Sequence, residues 1–271
     1  MEIKKIGCLL FILLSFVSLE SKLIAMESMN ISEDSVESNL KNGLVLMPSG
    51  GLVSYNDLED HNDKPRKYIS VWEHLLEKYK NNSEISQLIF VKYINYSDAD
   101  IYFYEKDQDN SWQVIKNCEG YVGRKGIGAA DINCDRTPEG DFRITSAFGI
   151  DPNPGTKLRY LKINKNLYCC GDSGKYFNKI IDITSLPDHR ECSGEHLVDY
   201  PYLYDLGFWF DYNNECDEQK GGAFFFHCVN EKKYTGGCVS VKKEDMSEIL
   251  RKLKENARLC IFDKEHIVSV D

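Results

Sequence analysis

Apolar positions along the chain change period several times, and each change predicts an element. Tyr68, Val71, Trp72, Leu75, Leu76 and Tyr79 stand at the i, i+3, i+4, i+7 spacing of one helical face, which predicts an amphipathic helix docked on a larger core. From Gln87 the period becomes two. Gln87 to Tyr93, Ala99 to Glu105 and Ser111 to Lys116 are β-branched and aromatic runs separated by polar clusters, the pattern of an antiparallel meander. Thr137-Pro-Glu-Gly140 is a turn, with Pro presetting φ. A second helix is predicted over 243–256, with Glu244 and Asp245 in its first turn and Met246, Ile249, Leu250 and Leu253 buried. Leu259 to Phe262 reads as a closing strand. The fold class that follows is mainly β, a β-sandwich or partly closed barrel with a few flanking helices. It spans residues 86–263, after an extension at 26–85 that carries the first helix and before a tail at 264–271.

The stretch Ala223 to Val241 concentrates the candidate chemistry. Alternation places Phe224, Phe226 and Cys228 on one face of a strand, and Ala223, Phe225, His227 and Val229 on the other. A polar loop then leads to Thr235-Gly236-Gly237-Cys238, where two glycines permit a tight turn and bring backbone N–H groups close to a ligand. Singly, a buried Cys or His is more often an inert core residue. Together, a strand His and a turn Cys eleven residues on have the make-up of a base and a nucleophile. The turn N–H groups would then serve as an oxyanion hole.

The segment resembles the signature of the L,D-transpeptidase family, in which a strand His precedes an S/T-x-G-C-[IV] turn; here His227 precedes Thr235-Gly236-Gly237-Cys238-Val239. Gly120 to Gly128, Arg136-Thr-Pro-Glu-Gly-Asp-Phe142, Ala147-Phe-Gly149, Glu195-His-Leu197, Tyr200-Pro-Tyr-Leu-Tyr204 and Tyr212-Asn213 are similar to further family segments in the same order. Gly236 and Ser240 stand where many members have a second His and an Arg, so the chain is most similar to the TxGC branch, which includes hydrolases. The resemblance implies an L,D-transpeptidase-like fold and Cys238 as nucleophile with His227 as base. A backbone carbonyl or a small polar residue such as Thr235 would orient the imidazole, and Gly237 with Cys238 would line the oxyanion hole. It implies peptidoglycan stem peptides as partners, a thioester formed with release of D-alanine, and no cofactor. Either an amine or water would resolve that thioester.

Composition narrows the setting. Lys4 and Lys5 precede an apolar run of fourteen residues, Ile6 to Leu19, which suits a secretory signal over 1–25 better than a membrane span; an uncleaved anchor is the alternative. No other segment reads as a span. Export would place the protein in a periplasm, cell wall or extracellular space. Residues 26–65 are polar and aperiodic, the composition of a tether. The formal net charge of −10, without a basic block, argues against nucleic acid as a partner.

Of ten cysteines, setting aside Cys8 and Cys238 leaves Cys118, Cys134, Cys169, Cys170, Cys192, Cys216, Cys228 and Cys260, enough for up to four disulfides in an exported protein. His189, Cys192 and His196 form an H-x-x-C-x-x-x-H spacing that admits a metal, but without a C-x-x-C partner pair no metal is assigned. A secreted, disulfide-rich wall-binding protein without catalysis is the reading from another functional class.

Overall fold

The computed structural model describes residues 44–46, 52–54, 67–131, 135–186 and 192–270. The expected signal at 1–25, as well as Cys134 and His189, lies outside them. The chain divides into two units, Met1–Arg66 and Lys67–Asp271. Within the first, β1 (Leu44–Leu46) and β2 (Leu52–Ser54) form an antiparallel pair.

The second unit begins with β3 (Lys67–Ser70) and α1 (Val71–Lys80). Ser70 and Glu73 close a capping box at the helix N-terminus, each side chain accepting from the other's backbone N–H at 3.2 Å. Four residues of the predicted stripe are buried and Leu76 is partly so, but Tyr68 precedes the helix on β3 and is 61% exposed. Val71, Trp72, Leu75 and Tyr79 pack with Leu88, Phe90 and Cys260, and burying a side chain such as Leu75 contributes about 2 kcal/mol. Trp72 Nε1 donates to the Lys264 carbonyl at 3.0 Å, and the Tyr79 hydroxyl donates to Asp141 at 2.5 Å. Lys78, Tyr79 and Arg258 hold the Asp141 carboxyl below the usual range against the opposing effect of its burial.

The meander follows as β4 (Gln87–Asn95), β5 (Asp98–Lys106) and β6 (Trp112–Tyr121), all antiparallel. The third strand runs past its predicted end because residues 117–121, though mostly polar, pair with 98–102. Next come β7 (Ile127–Gly128), β8 (Thr137–Pro138), β9 (Gly140–Gly149) and β10 (Tyr160–Lys162). A small three-stranded sheet comprises β11 (Leu167–Cys169), β12 (Ile180–Asp182) and β13 (Glu195–His196). The chain then re-enters the main sheet with β14 (Gly207–Phe210), β15 (Phe225–Cys228) and β16 (Val239–Val241). Helix α2 (Lys243–Lys252) ends earlier than its apolar spacing predicts, since Leu253 turns extended at φ −67°, ψ 131°. β17 (Arg258–Asp263) and β18 (Ile267–Val270) complete the unit; β18 forms in a stretch for which no element was predicted, by pairing with β3.

The main sheet runs β10-β9-β14-β15-β16-β6-β5-β4-β17, and β17 also pairs with β9. Eight of these strands therefore close on themselves, with β10 appended, which makes the fold a mainly β, barrel-like one as expected. Three pairs are parallel: β15 with β16, β17 with β4, and β9 with β10. Met246, Ile249, Leu250 and Leu253 pack against Phe226, Cys228, Val239 and Val241 in the main core, fixing the two strands that frame the candidate site. Among the described residues no helix is long and apolar enough to cross a membrane.

Among the described residues the expected disulfides are not formed. Cys118, Cys169, Cys170, Cys216, Cys228 and Cys260 are thiols, as is Cys238. Most of them are kept apart: Cys228 is in the main core, Cys169 in a second apolar cluster and Cys260 under α1, whereas Cys170 shares a fourth cluster with Cys192. Adjacent Cys169 and Cys170 face different clusters because side chains alternate along a strand, and a disulfide needs Cα atoms within about 7 Å.

Candidate active site

His227 sits on β15, and the two faces of that strand separate as the alternation predicts. Phe224, Phe226 and Cys228 enter the main core, whereas Phe225 and Ala223 join the cluster that contains Cys238. In register, His227 faces Gly207 on antiparallel β14 and Ser240 on parallel β16. A Cβ at Gly207 would come within 2.7 Å of the Phe226 carbonyl oxygen and the Phe148 ring, so only glycine lets β14 approach here.

Residues 235–238 form a turn held from both sides. Thr235 N donates to the Val122 carbonyl and Arg124 N to that of Thr235, each at 3.0 Å. Two hydroxyls converge on the Cys238 carbonyl oxygen: Thr235 Oγ1 at 2.6 Å and Thr137 Oγ1 at 2.9 Å. Thr137 Oγ1 also accepts from Gly123 N at 2.8 Å, so the Thr-Pro-Glu-Gly segment, the Gly123 turn and the Cys238 turn are joined. Gly237 has φ +141°, and a Cβ there would overlap the Phe224 ring. Nothing lies within 4 Å of a Cβ built at Gly236, which faces open space.

Cys238 Sγ accepts from Phe225 N and donates to the Ala223 carbonyl, both at 3.3 Å. Ala223 holds a left-handed φ of 59°, uncommon for a residue with a Cβ, and its N–H is fixed at 2.9 Å by Asn178 Oδ1. His227 Nδ1 donates to the Cys228 carbonyl at 2.7 Å, which leaves Nε2 as the basic nitrogen. The orienting group is thus a backbone carbonyl, and Thr235 is engaged elsewhere, organising the turn.

Cys238, His227 and the turn line one cleft of about 590 Å³ together with Glu195, Tyr200, Tyr204 and Lys232. The Tyr204 hydroxyl donates to Glu195 Oε2, and its ring stands edge-on to His227 with centroids 5.4 Å apart. Burial drives the Glu195 carboxyl above the usual range against that hydrogen bond. Burial also pulls the His227 imidazole down to about 4, opposed by the Cys228 carbonyl. It pushes the Cys238 thiol well above its usual range, with the Glu195 charge adding to the rise and the Phe225 N–H opposing it. The resting site therefore holds a neutral thiol and a neutral imidazole at pH 7.

A second cavity of about 480 Å³, lined by Trp209, Phe224 and Phe225, contains neither Cys238 nor His227. The other predicted cluster is not assembled by its histidine. His196 bonds Asp199 Oδ2 and the Lys165 carbonyl through its two ring nitrogens and stacks on Tyr168 at 4.3 Å, whereas Cys192 sits with Cys170 and Asp172. Sequence reasoning missed the roles of Thr137, Asn178, Glu195 and Tyr204. Three of the four lie in or beside segments already noted for their resemblance, which was the available signal.

No family model matches this chain, and no curated protein matches it. The solved structures it matches include the helical cell shape determining protein Pgp2 from Campylobacter jejuni, with a TM-score of 0.38 and 13% identity over 73% of this chain and 57% of that one. Another is a fused Zn-dependent amidase/peptidase/peptidoglycan-binding domain-containing protein from Clostridium acetobutylicum, with a TM-score of 0.30 and 11% identity over 88% of this chain and 80% of that one. The names of these two proteins refer to cell shape and to peptidoglycan, and the chain spans about 57% of the length of the first.

Proposed function

We propose that this protein is an exported cysteine acyltransferase of the L,D-transpeptidase type, acting on peptidoglycan stem peptides. The observation that carries the reading is the convergence of Cys238 and His227 on one cleft, with His227 Nδ1 committed to the Cys228 carbonyl and Nε2 left as base. The ordered motif resemblance supplies the substrate class, and the N-terminal apolar run supports export.

In this mechanism the thiol proton moves from Sγ to His227 Nε2 as sulfur attacks the carbonyl carbon of the third stem residue. The carbonyl electrons move onto oxygen. The Gly237 N–H donates to Thr235 Oγ1 at 3.1 Å, so the oxyanion falls to the Cys238 N–H, with the open backbone at Gly236 beside it. Collapse breaks the C–N bond to D-alanine, whose nitrogen takes the proton from His227, and a thioester remains. An acceptor amine, deprotonated by the same imidazole, then forms the new amide and restores the thiol.

The test is incubation of the purified protein with a tetrapeptide stem and an acceptor amine, read by mass spectrometry. Release of D-alanine with a cross-linked product is expected. A free tripeptide would make the protein an L,D-carboxypeptidase using the same residues. Cys238→Ala should release no D-alanine, and His227→Ala should be slower by roughly 10²–10⁴-fold. Undiminished release by Cys238→Ala would end the proposal, and no release by wild type would favour a wall-binding protein.

A further inference from the structure

The sheet of β11, β12 and β13 packs its inner face, through Leu167 and Cys169, in the cluster that contains Cys238, but its outer face has little apolar cover. Among the described residues its outer cluster has Tyr168, Cys170, Leu186 and Cys192 as buried members, and its strands are two or three residues long. Short strands with so small an outer cluster gain rigidity from a further cross-link. Yet β13 delivers Glu195 to the cleft, so its position matters to the candidate site.

The two arms of this sheet meet at Cys170, Asp172 and Cys192. One ligand atom from each, two sulfurs and a carboxylate oxygen, lies within 4.8 Å of the others. Both cysteines are buried, at 2% and 7% exposure. The backbone is built for this approach: a Cβ at Gly194 would overlap the Cys169 carbonyl oxygen, and one at Gly171 would stand 3.1 Å from Gly194 Cα. Ser193 N donates to Asp172 Oδ1 at 3.0 Å, which aims the carboxylate across the gap between the arms. Two buried sulfurs and a carboxylate oxygen so close together form a donor set that can hold a divalent cation, and the mix of sulfur and oxygen suits zinc.

We propose that Cys170, Asp172 and Cys192 form a structural zinc site that clamps the small sheet and thereby positions Glu195 at the cleft. On binding, the two thiols lose their protons to solvent and coordinate as thiolates, Asp172 binds through one oxygen, and water completes a tetrahedron.

The experiment is metal analysis of the whole protein purified without chelator, followed by chelator treatment and reconstitution with cobalt(II). About one zinc per chain is expected, with thiolate-to-cobalt charge-transfer absorption in the near ultraviolet. Cys170→Ser and Cys192→Ser should lose that absorption, and Asp172→Asn should weaken metal affinity at least tenfold while leaving it detectable. Because a cysteine variant could fail to fold, unfolding of the chelated wild type is measured as well, and its midpoint should rise with added zinc. A protein that neither retains zinc nor binds cobalt through sulfur would overturn the assignment. So would peptide mapping that finds Cys170 and Cys192 joined as a disulfide.

Discussion

Thr137, 101 residues before Cys238 in the chain, donates its hydroxyl to the Cys238 carbonyl oxygen at 2.9 Å. The turn that presents the thiol is therefore fastened by a residue of the β8 segment as well as by its own Thr235. Thr137→Val should cost about 1–2 kcal/mol, because it removes this bond and strands the Gly123 N–H that the hydroxyl also accepts. Urea unfolding measures the loss. A Thr137→Val/Thr235→Val pair should be non-additive, since both hydroxyls serve one acceptor. Strict additivity would show that the two bonds are energetically independent.

Glu195 places a carboxylate where it opposes thiolate formation at Cys238. Glu195→Gln keeps an acceptor for the Tyr204 hydroxyl and removes the charge. The pH profile of Cys238 alkylation by iodoacetamide should then move to lower pH, with the rate at pH 8 rising about 3- to 10-fold. An unchanged profile would mean that solvent in the cleft screens the carboxylate from the sulfur.

His227 makes stability depend on pH. Its imidazole has a folded value of about 4 and an ordinary value of 6.5, so between these the unfolded chain binds a proton that the folded chain does not. The contribution is complete above pH 6.5 and is lost as pH falls through 4, by about 3 kcal/mol in all. Unfolding at pH 7 and pH 4.5 should show much of this loss in wild type and little of it in His227→Gln. Equal pH dependence in the two proteins would count against a neutral, buried imidazole.

Ala223 keeps a left-handed backbone, φ 59°, while its carbonyl accepts from Cys238 Sγ. Ala223→Gly relieves a strain of about 1–2 kcal/mol and adds some unfolded-state entropy, for a net stabilisation of about 0.5–1 kcal/mol. The denaturation midpoint should rise with the Cys238 alkylation rate nearly unchanged. A lower midpoint would show that the methyl group's packing in the Cys238 cluster outweighs the strain.

What the sequence by itself determined was set by local periodicity. Alternation along 223–229 assigned Phe226 and Cys228 to one core and His227 to the other side, and the stripe of Val71, Trp72, Leu75 and Tyr79 placed a docked helix. Such patterns are legible because the side-chain direction of a strand or helix follows from backbone geometry alone. Only the tertiary structure decided that the Cys228 carbonyl, and not Thr235, orients His227, and that Thr137 fastens the turn. It likewise decided that Glu195 and Tyr204 line the cleft, that 267–270 pairs with 67–70, and that the cysteines divide among separate clusters. Each of these depends on the close approach of segments distant in the chain, and a hydroxyl, carboxyl or thiol carries no local mark of the partner it will meet.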